Sequence, residues 1–280
     1  GGKTMLISRE ELKEKLIVVK ANEYKVSEGV DAFELSLAMM EYLGDTDSEL
    51  RDDLIYSVLI KWITSGVFSK EQLKQILGVI LDDKHLFYKI GEKDTDSVFM
   101  RAFSVLIAAG LVYAHREDRF LTNEELIALK NKIIKYMEEE MDVRGYITEG
   151  GWAHTAAHSS DTLDELALCE EFGREELLEI LKAIKSKVCI NYHAYICYED
   201  ERLALATNSL ISRSLLTEEE ISEWIQSFTE YDKNIEFPNH YYLISNIRNY
   251  LNSLYYRLPC DQYHAIKEAI SGAILSIRRF

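Results

Sequence analysis

Two prolines, Pro238 and Pro259, are all that this chain of 280 residues contains. A proline within a helix removes a backbone donor and clashes with the preceding turn. Their scarcity therefore leaves nearly the whole chain open to helix, and the sequence reads as all-α. Helix starts are marked early. Ser8-Arg-Glu-Glu11 has the form of a capping box and opens a helix through about Ala21. A second, amphipathic helix is expected from Val30 to Leu43.

Beyond Gly44-Asp-Thr-Asp47 the pattern becomes repetitive. Arg51 to Trp62, a turn at Gly66, and Ser69 to Leu77 make a helix, a capped turn and a second helix. The unit returns as Val98 to Tyr113 with Asn123 to Glu140, and as Trp152 to Glu170 with Arg174 to Lys187. It returns twice more, as Arg202 to Leu215 with Thr217 to Phe228 and as Tyr241 to Tyr256 with Cys260 to Ile277. With Arg51, Arg101, His158, Arg202 and Arg248 taken as equivalent, successive spacings are 50, 57, 44 and 46. That is near the period of about 40–47 residues in HEAT and armadillo repeats. Such pairs cannot bury their apolar faces alone, so neighbours share a continuous core. The expected architecture is a right-handed α-α superhelix, a solenoid of helical hairpins forming one domain over 1–280, with an N-terminal pair in 1–45 and about five pairs in 46–280.

The longest interval precedes His158 and holds the link Arg144-Gly-Tyr146-Ile-Thr-Glu-Gly-Gly151. Extra residues in a solenoid collect on one face, often the binding face. The run that follows, Gly151-Trp152-Ala-His154-Thr-Ala-Ala-His158-Ser-Ser-Asp161-Thr-Leu-Asp-Glu165, aligns His154, His158, Asp161 and Glu165 in one stripe if helical. Trp152, Ala156, Leu163 and Ala167 fall opposite. The apolar side is the one a helix buries, so the histidines are expected to face solvent or a groove, with Trp152 anchored in the core. Arg101, His158 and Arg202 would then line the concave face. The arginines have a second available role, tying repeats together through acids such as Asp96 or Asp200.

The Arg-Gly-Tyr, the glycine-rich link and the Gly-Trp-Ala-His-x-x-Ala-His-x-x-Asp together resemble the signature of an uncharacterised bacterial family of all-helical proteins, a domain of unknown function extending over most of a chain this long. The resemblance implies the fold and the location of the site. It implies no activity.

Composition excludes some partners. The formal charge of −16 repels phosphate backbones and anionic lipid surfaces, so neither nucleic acid nor membrane is expected as a partner. The longest apolar run, Val98 to Ala114, contains Arg101 and is too short to span a bilayer, and no secretory signal is read before Met5. The cysteines at 169, 189, 197 and 260 form no CxxC pair and read as reduced thiols of a cytoplasmic protein. Tyrosines crowd the C-terminal half, where they serve either packing between repeats or a peptide or sugar groove.

Three chemistries compete at the central motif. His154 and His158 stand one turn apart, as zinc-binding imidazoles do, but Thr155 occupies the place where a zincin needs glutamate. Three side chains along one straight helix converge poorly, so a metal would need a further ligand such as Asn208 or Glu149. In acid/base catalysis, Asp161 would orient His158. A hydrolytic triad lacks its nucleophile, because Ser159 and Ser160 project elsewhere and Cys169 is three turns away. The third is binding without chemistry, by a pocket of Arg144, Tyr146, His154, His158, Asp161 and Glu165 with Arg101 and Arg202. The favoured reading is a binding or scaffold protein that recognises a protein segment or small molecule, with no cofactor. The alternative is a hydrolase, metal-assisted through His154 and His158 or driven by His158 and Asp161. A third, an α/α toroid acting on glycans, requires about six pairs closing into a ring and two opposed carboxylates.

Overall fold

The computed structural model describes residues 6–280; Met5 and the residues before it lie outside the described part. The fold is all-α. Among the described residues, twelve α-helices account for nearly all regular structure, and the only strands are two of two residues each. The chain divides within its seventh helix into two compact units, one ending at Thr162 and one running Leu163–Phe280.

The first unit begins with α1 (Arg9–Ala21), where the Ser8 hydroxyl accepts from the Glu11 backbone N–H, and α2 (Ala32–Glu41), capped by Asp31. A π-helical stretch, Glu49–Tyr56, runs directly into α3 (Ser57–Thr64). The regular pattern expected from Arg51 is therefore widened over its first two turns. α4 (Lys70–Ile80) and α6 (Asn123–Glu139) open on complete capping boxes, Ser69 with Gln72 and Thr122 with Glu125. Between them runs α5 (Ser97–Glu117), against which α3 and α4 pack. At 21 residues α5 is long and apolar enough to cross a membrane by length and composition, yet 78% of its apolar window is buried inside the protein. It is the core helix of this unit.

After α6 the chain forms a minimal antiparallel hairpin, β1 (Tyr146–Ile147) with β2 (Gly151–Trp152), before α7 (Thr155–Ala167). The expected helix from Trp152 thus starts three residues late, because Trp152 belongs to a strand.

In the second unit, α8 (Arg174–Val188), α9 (Glu199–Ser212) and α10 (Glu218–Gln226) are followed by a 3-10 turn at Ser227–Thr229, then α11 (Asn239–Arg257) and α12 (His264–Ile277). The main packing is between alternate helices, α9 on α11 and α10 on α12, with α11 also against α12. Arg174 on α8 forms a two-pronged pair with Glu220 on α10. The tyrosines divide: Tyr195 and Tyr250 are core residues, whereas Tyr198 and Tyr256 are exposed.

Candidate functional site

The hairpin and the start of α7 are held to the rest of the first unit by Arg51, a residue 99 positions before the hairpin tip. Arg51 is completely buried in the π-helical stretch. Its Nη2 donates to the carbonyls of Gly150 at 2.5 Å and Trp152 at 3.2 Å, and its Nη1 to that of Asp45 at 2.6 Å. The guanidinium lies 4.0 Å from the ring centre of Phe99 and 5.0 Å from that of Phe103. Asp52, Asp45, Asp47 and Asp96 act on it only from a distance, and its Nε is buried with no hydrogen-bond partner. Burial pushes its pKa down to about 10. Among the described residues it has no ion pair, and a buried cation satisfied by carbonyls and ring faces is a costly arrangement unless those partners are fixed.

The glycines of the link make this clamp possible. A side chain at Gly150 would collide with the Phe99 ring, and Gly151 has φ +84° with Ser48 and Arg51 close behind it. The backbone can therefore press its carbonyls onto Arg51. The register pairs Tyr146 with Trp152, and their rings meet edge to face at 5.2 Å. Tyr146 is 59% exposed and Trp152 39% exposed, so the clamp presents two aromatic side chains outward. Trp152 is not the core anchor expected of it; strand geometry turns its ring to the surface.

His154 is not part of the helix. Its φ of +65° turns the chain from strand to helix: its N–H donates to the Arg144 carbonyl, and its own carbonyl accepts from His158 N–H as the first bond of α7. Its imidazole stacks under Trp152, with centres 4.7 Å apart and planes at 24°. The His158 ring follows at 5.8 Å and the Phe103 ring at 5.5 Å beyond it. A continuous file of rings, Tyr146, Trp152, His154, His158 and Phe103, leads from surface to core.

Both histidines are buried, at 7% and 6% exposure, which corrects the expectation that they face solvent or a groove. The stripe argument fails because every side of α7 is covered from Thr155 to Ser160. His158 Nδ1 donates to the Ala102 carbonyl at 3.0 Å, and one turn on, Thr162 Oγ1 donates to the Val105 carbonyl at 2.8 Å. These two bonds fasten α7 to the backbone of α5. Because a carbonyl only accepts, the bond places a proton on His158 Nδ1. Ser159 and Ser160 return their hydroxyls to carbonyls one turn back and offer no nucleophile here.

The remaining predicted residues separate. Arg144 is held by Asp142 through Nε at 2.9 Å and Nη2 at 2.7 Å, and also bonds the Thr95 carbonyl. Its pKa is raised by that carboxylate. Asp161 and Glu165 are half-buried on α7, on either side of the division between the units. Arg202, half-buried on α9, belongs to the second unit. Arg101 is fully buried, which removes it from any open face. Glu140 engages its Nε and Nη2 at 2.6 and 3.1 Å, Ser97 and two carbonyls take Nη1, and the Glu92 carbonyl takes Nη2. Burial alone would depress this guanidinium, but Glu140 outweighs it and the pKa lies above the ordinary value. Arg101 is thus tied to an acid, but that acid is Glu140 at the end of its own helical pair and not Asp96, so the bond does not join neighbouring repeats.

Among the described residues, no group of three or more His, Cys, Asp or Glu side chains is arranged to hold a metal ion. The residue the sequence reading left out of the site is Arg51; its equivalence to buried Arg101 in the repeat register was the available signal.

No curated protein matches the chain, and no solved structure does. Residues 86–256, more than half of the chain and including the hairpin and α7, match the family described as proteins of unknown function, DUF2785, and the chain belongs to that family.

Proposed function

We propose that this is a binding or scaffold protein that recognises a protein segment or small ligand at the hairpin, with Tyr146 and Trp152 as its contact side chains. The observation that carries the reading is the exposed, edge-to-face Tyr146 and Trp152 pair, held from beneath by a fully buried arginine. Tyrosine and tryptophan offer large contact area at little entropic cost, and such residues dominate binding energy where their backbone is fixed. His154 and His158 support Trp152 from below, while Asp142 holds Arg144 at the base of the link. The acidic chain disfavours nucleic acid and anionic membrane as partners, and the reading needs no cofactor. We infer a cytoplasmic location, supported by four cysteines that form no disulfide.

We also infer that the helical pairs are HEAT-like repeats. Support comes from alternate-helix packing in the second unit, α9 on α11 and α10 on α12, which is how successive hairpins stack in a solenoid.

The test compares immobilised wild type with Trp152→Ala and Tyr146→Ala variants of unchanged circular dichroism. A partner or ligand retained by wild type and lost from both variants is expected. Equal retention by all three overturns the reading. The second reading, hydrolysis with or without a metal, is favoured by one observation: the carbonyl on His158 Nδ1, an arrangement common to general-base and metal-ligating histidines. Bound zinc, manganese or iron in untagged protein, lost in a His154→Ala, His158→Ala variant, decides for its metal-assisted form.

A further inference from the structure

The second unit carries a cationic pocket that the hairpin does not involve. Lys233, Ile235, Phe237, His240, Tyr241 and Arg279 line a cavity of about 210 Å³ beside the start of α11. In a chain of net charge −16, none of these six lining residues is acidic. Lys233 Nζ donates to the Thr229 carbonyl at 2.7 Å and lies over the Tyr231 ring, and the Arg279 guanidinium sits 5.1 Å from the centre of the Tyr241 ring. Among the described residues, neither cation has a carboxylate within ion-pair distance, although Glu230, Asp232 and Glu236 are close in sequence. His240 lines the same cavity with its ring against Tyr231 and Tyr241, and its Nδ1 is buried with no hydrogen-bond partner among the described residues. Phe237 is 74% exposed and meets Tyr241 edge to face at 5.1 Å.

These features favour one kind of guest. Two cations without acidic partners, together with a buried imidazole nitrogen lacking a partner, supply donors for an anionic group. The flat walls of Phe237 and Tyr241, with Ile235, supply an apolar seat beside those donors. Groups of this type usually satisfy one another or lie apart in solvent; here they converge on a single cavity.

We propose that this pocket binds a small aryl anion, its phosphate or carboxylate held by Lys233, His240 and Arg279 and its ring lying against Phe237 and Tyr241. The site is independent of the hairpin reading.

The experiment is calorimetric titration of the full chain with phenyl phosphate and with benzoate, beside inorganic phosphate and benzyl alcohol. Saturable binding of at least one aryl anion, tighter than either control, is expected. Lys233 and Arg279 are exposed, so Lys233→Ala and Arg279→Ala leave the fold intact; each is expected to weaken binding about tenfold through loss of a charge-assisted contact. Phe237→Ala is expected to weaken the aryl anions toward inorganic phosphate, and Trp152→Ala to leave all four titrations unchanged. Whichever of phenyl phosphate and benzoate binds more tightly identifies the charged group. The proposal is overturned if neither aryl anion saturates, if the Lys233→Ala, Arg279→Ala double variant binds as wild type does, or if neither aryl anion binds more tightly than inorganic phosphate.

Discussion

Replacing Gly150 by alanine tests whether the hairpin tip is seated as described. The added Cβ would stand 2.3 Å from Phe99 Cζ and 2.8 Å from its Cε2. Ordinary carbon contacts are about 3.5–4.0 Å, so the ring or the hairpin must move by about 1.2 Å or more. Phe99 is completely buried, with Arg51 against one face and Val98, Ala153 and Ile147 packed around it. Displacing it costs about 1–3 kcal/mol of overpacking plus part of a cation–π contact of about 0.5–2 kcal/mol. Lifting the hairpin instead stretches two hydrogen bonds from a charged donor, each worth about 1.5–3 kcal/mol. Both routes give a loss of roughly 2–5 kcal/mol, to be read by urea denaturation. Faster amide exchange at Ala153 and His154, whose N–H groups bond Gly145 and Arg144, accompanies it. Phe99→Leu in the same background restores part of the loss, with a coupling of about 1 kcal/mol or more in a double-mutant cycle. Gly78, with open space at its Cβ position on α4, is the control; alanine there stabilises by about 0.5–1 kcal/mol. A Gly150→Ala protein within about 0.5 kcal/mol of wild type would refute the seating of Gly150 on Phe99.

Glu140→Gln removes the carboxylate paired with buried Arg101, leaving only the more distant Asp142 charge, and is expected to lower stability by about 3–5 kcal/mol, measured by the same denaturation. Tyr146→Ala and Trp152→Ala each remove an aromatic pair worth about 0.5–1.5 kcal/mol, so both proteins stay folded at 37 °C in a thermal melt while the binding surface is lost. Arg174 holds the Glu220 carboxylate at a pKa of about 2, below the usual 4.5. A depressed carboxylate stabilises the fold above its unfolded value, and that stability is lost as pH falls through the folded one. The unfolding midpoint of wild type is therefore expected to drop between about pH 4.5 and pH 2 more steeply than that of Glu220→Gln; parallel profiles would remove Glu220 as a contributor.

The helices were legible wherever a local signal marks an end. Ser8, Ser69, Thr122 and Thr217 all cap the helices their sequences suggest. The failures lie where a distant residue decides. Trp152 and His154 fit a helical period, but Arg51 and Phe99 hold the preceding glycines in a hairpin that turns at His154. A paired Tyr146 and Trp152 across Gly150 and Gly151 was the overlooked strand signal. His158 was read as exposed because amphipathic reasoning gives a helix one covered face, whereas the Ala102 and Val105 carbonyls of α5 occupy the other. Arg101 was expected on a concave face, but it is buried against Glu140, which is 39 residues away, and no spacing rule connects the two.

The π-helical stretch has a consequence for how this family is handled as a fragment. The family match begins at residue 86, and Arg51 lies before it. A protein trimmed to 86–256 keeps both aromatic side chains but loses the peg beneath them. The Gly150 and Trp152 carbonyls are then stranded without a donor, and Phe99 has one bare face. Screens run on such a trimmed piece would interrogate a slackened loop instead of the surface that the full chain displays.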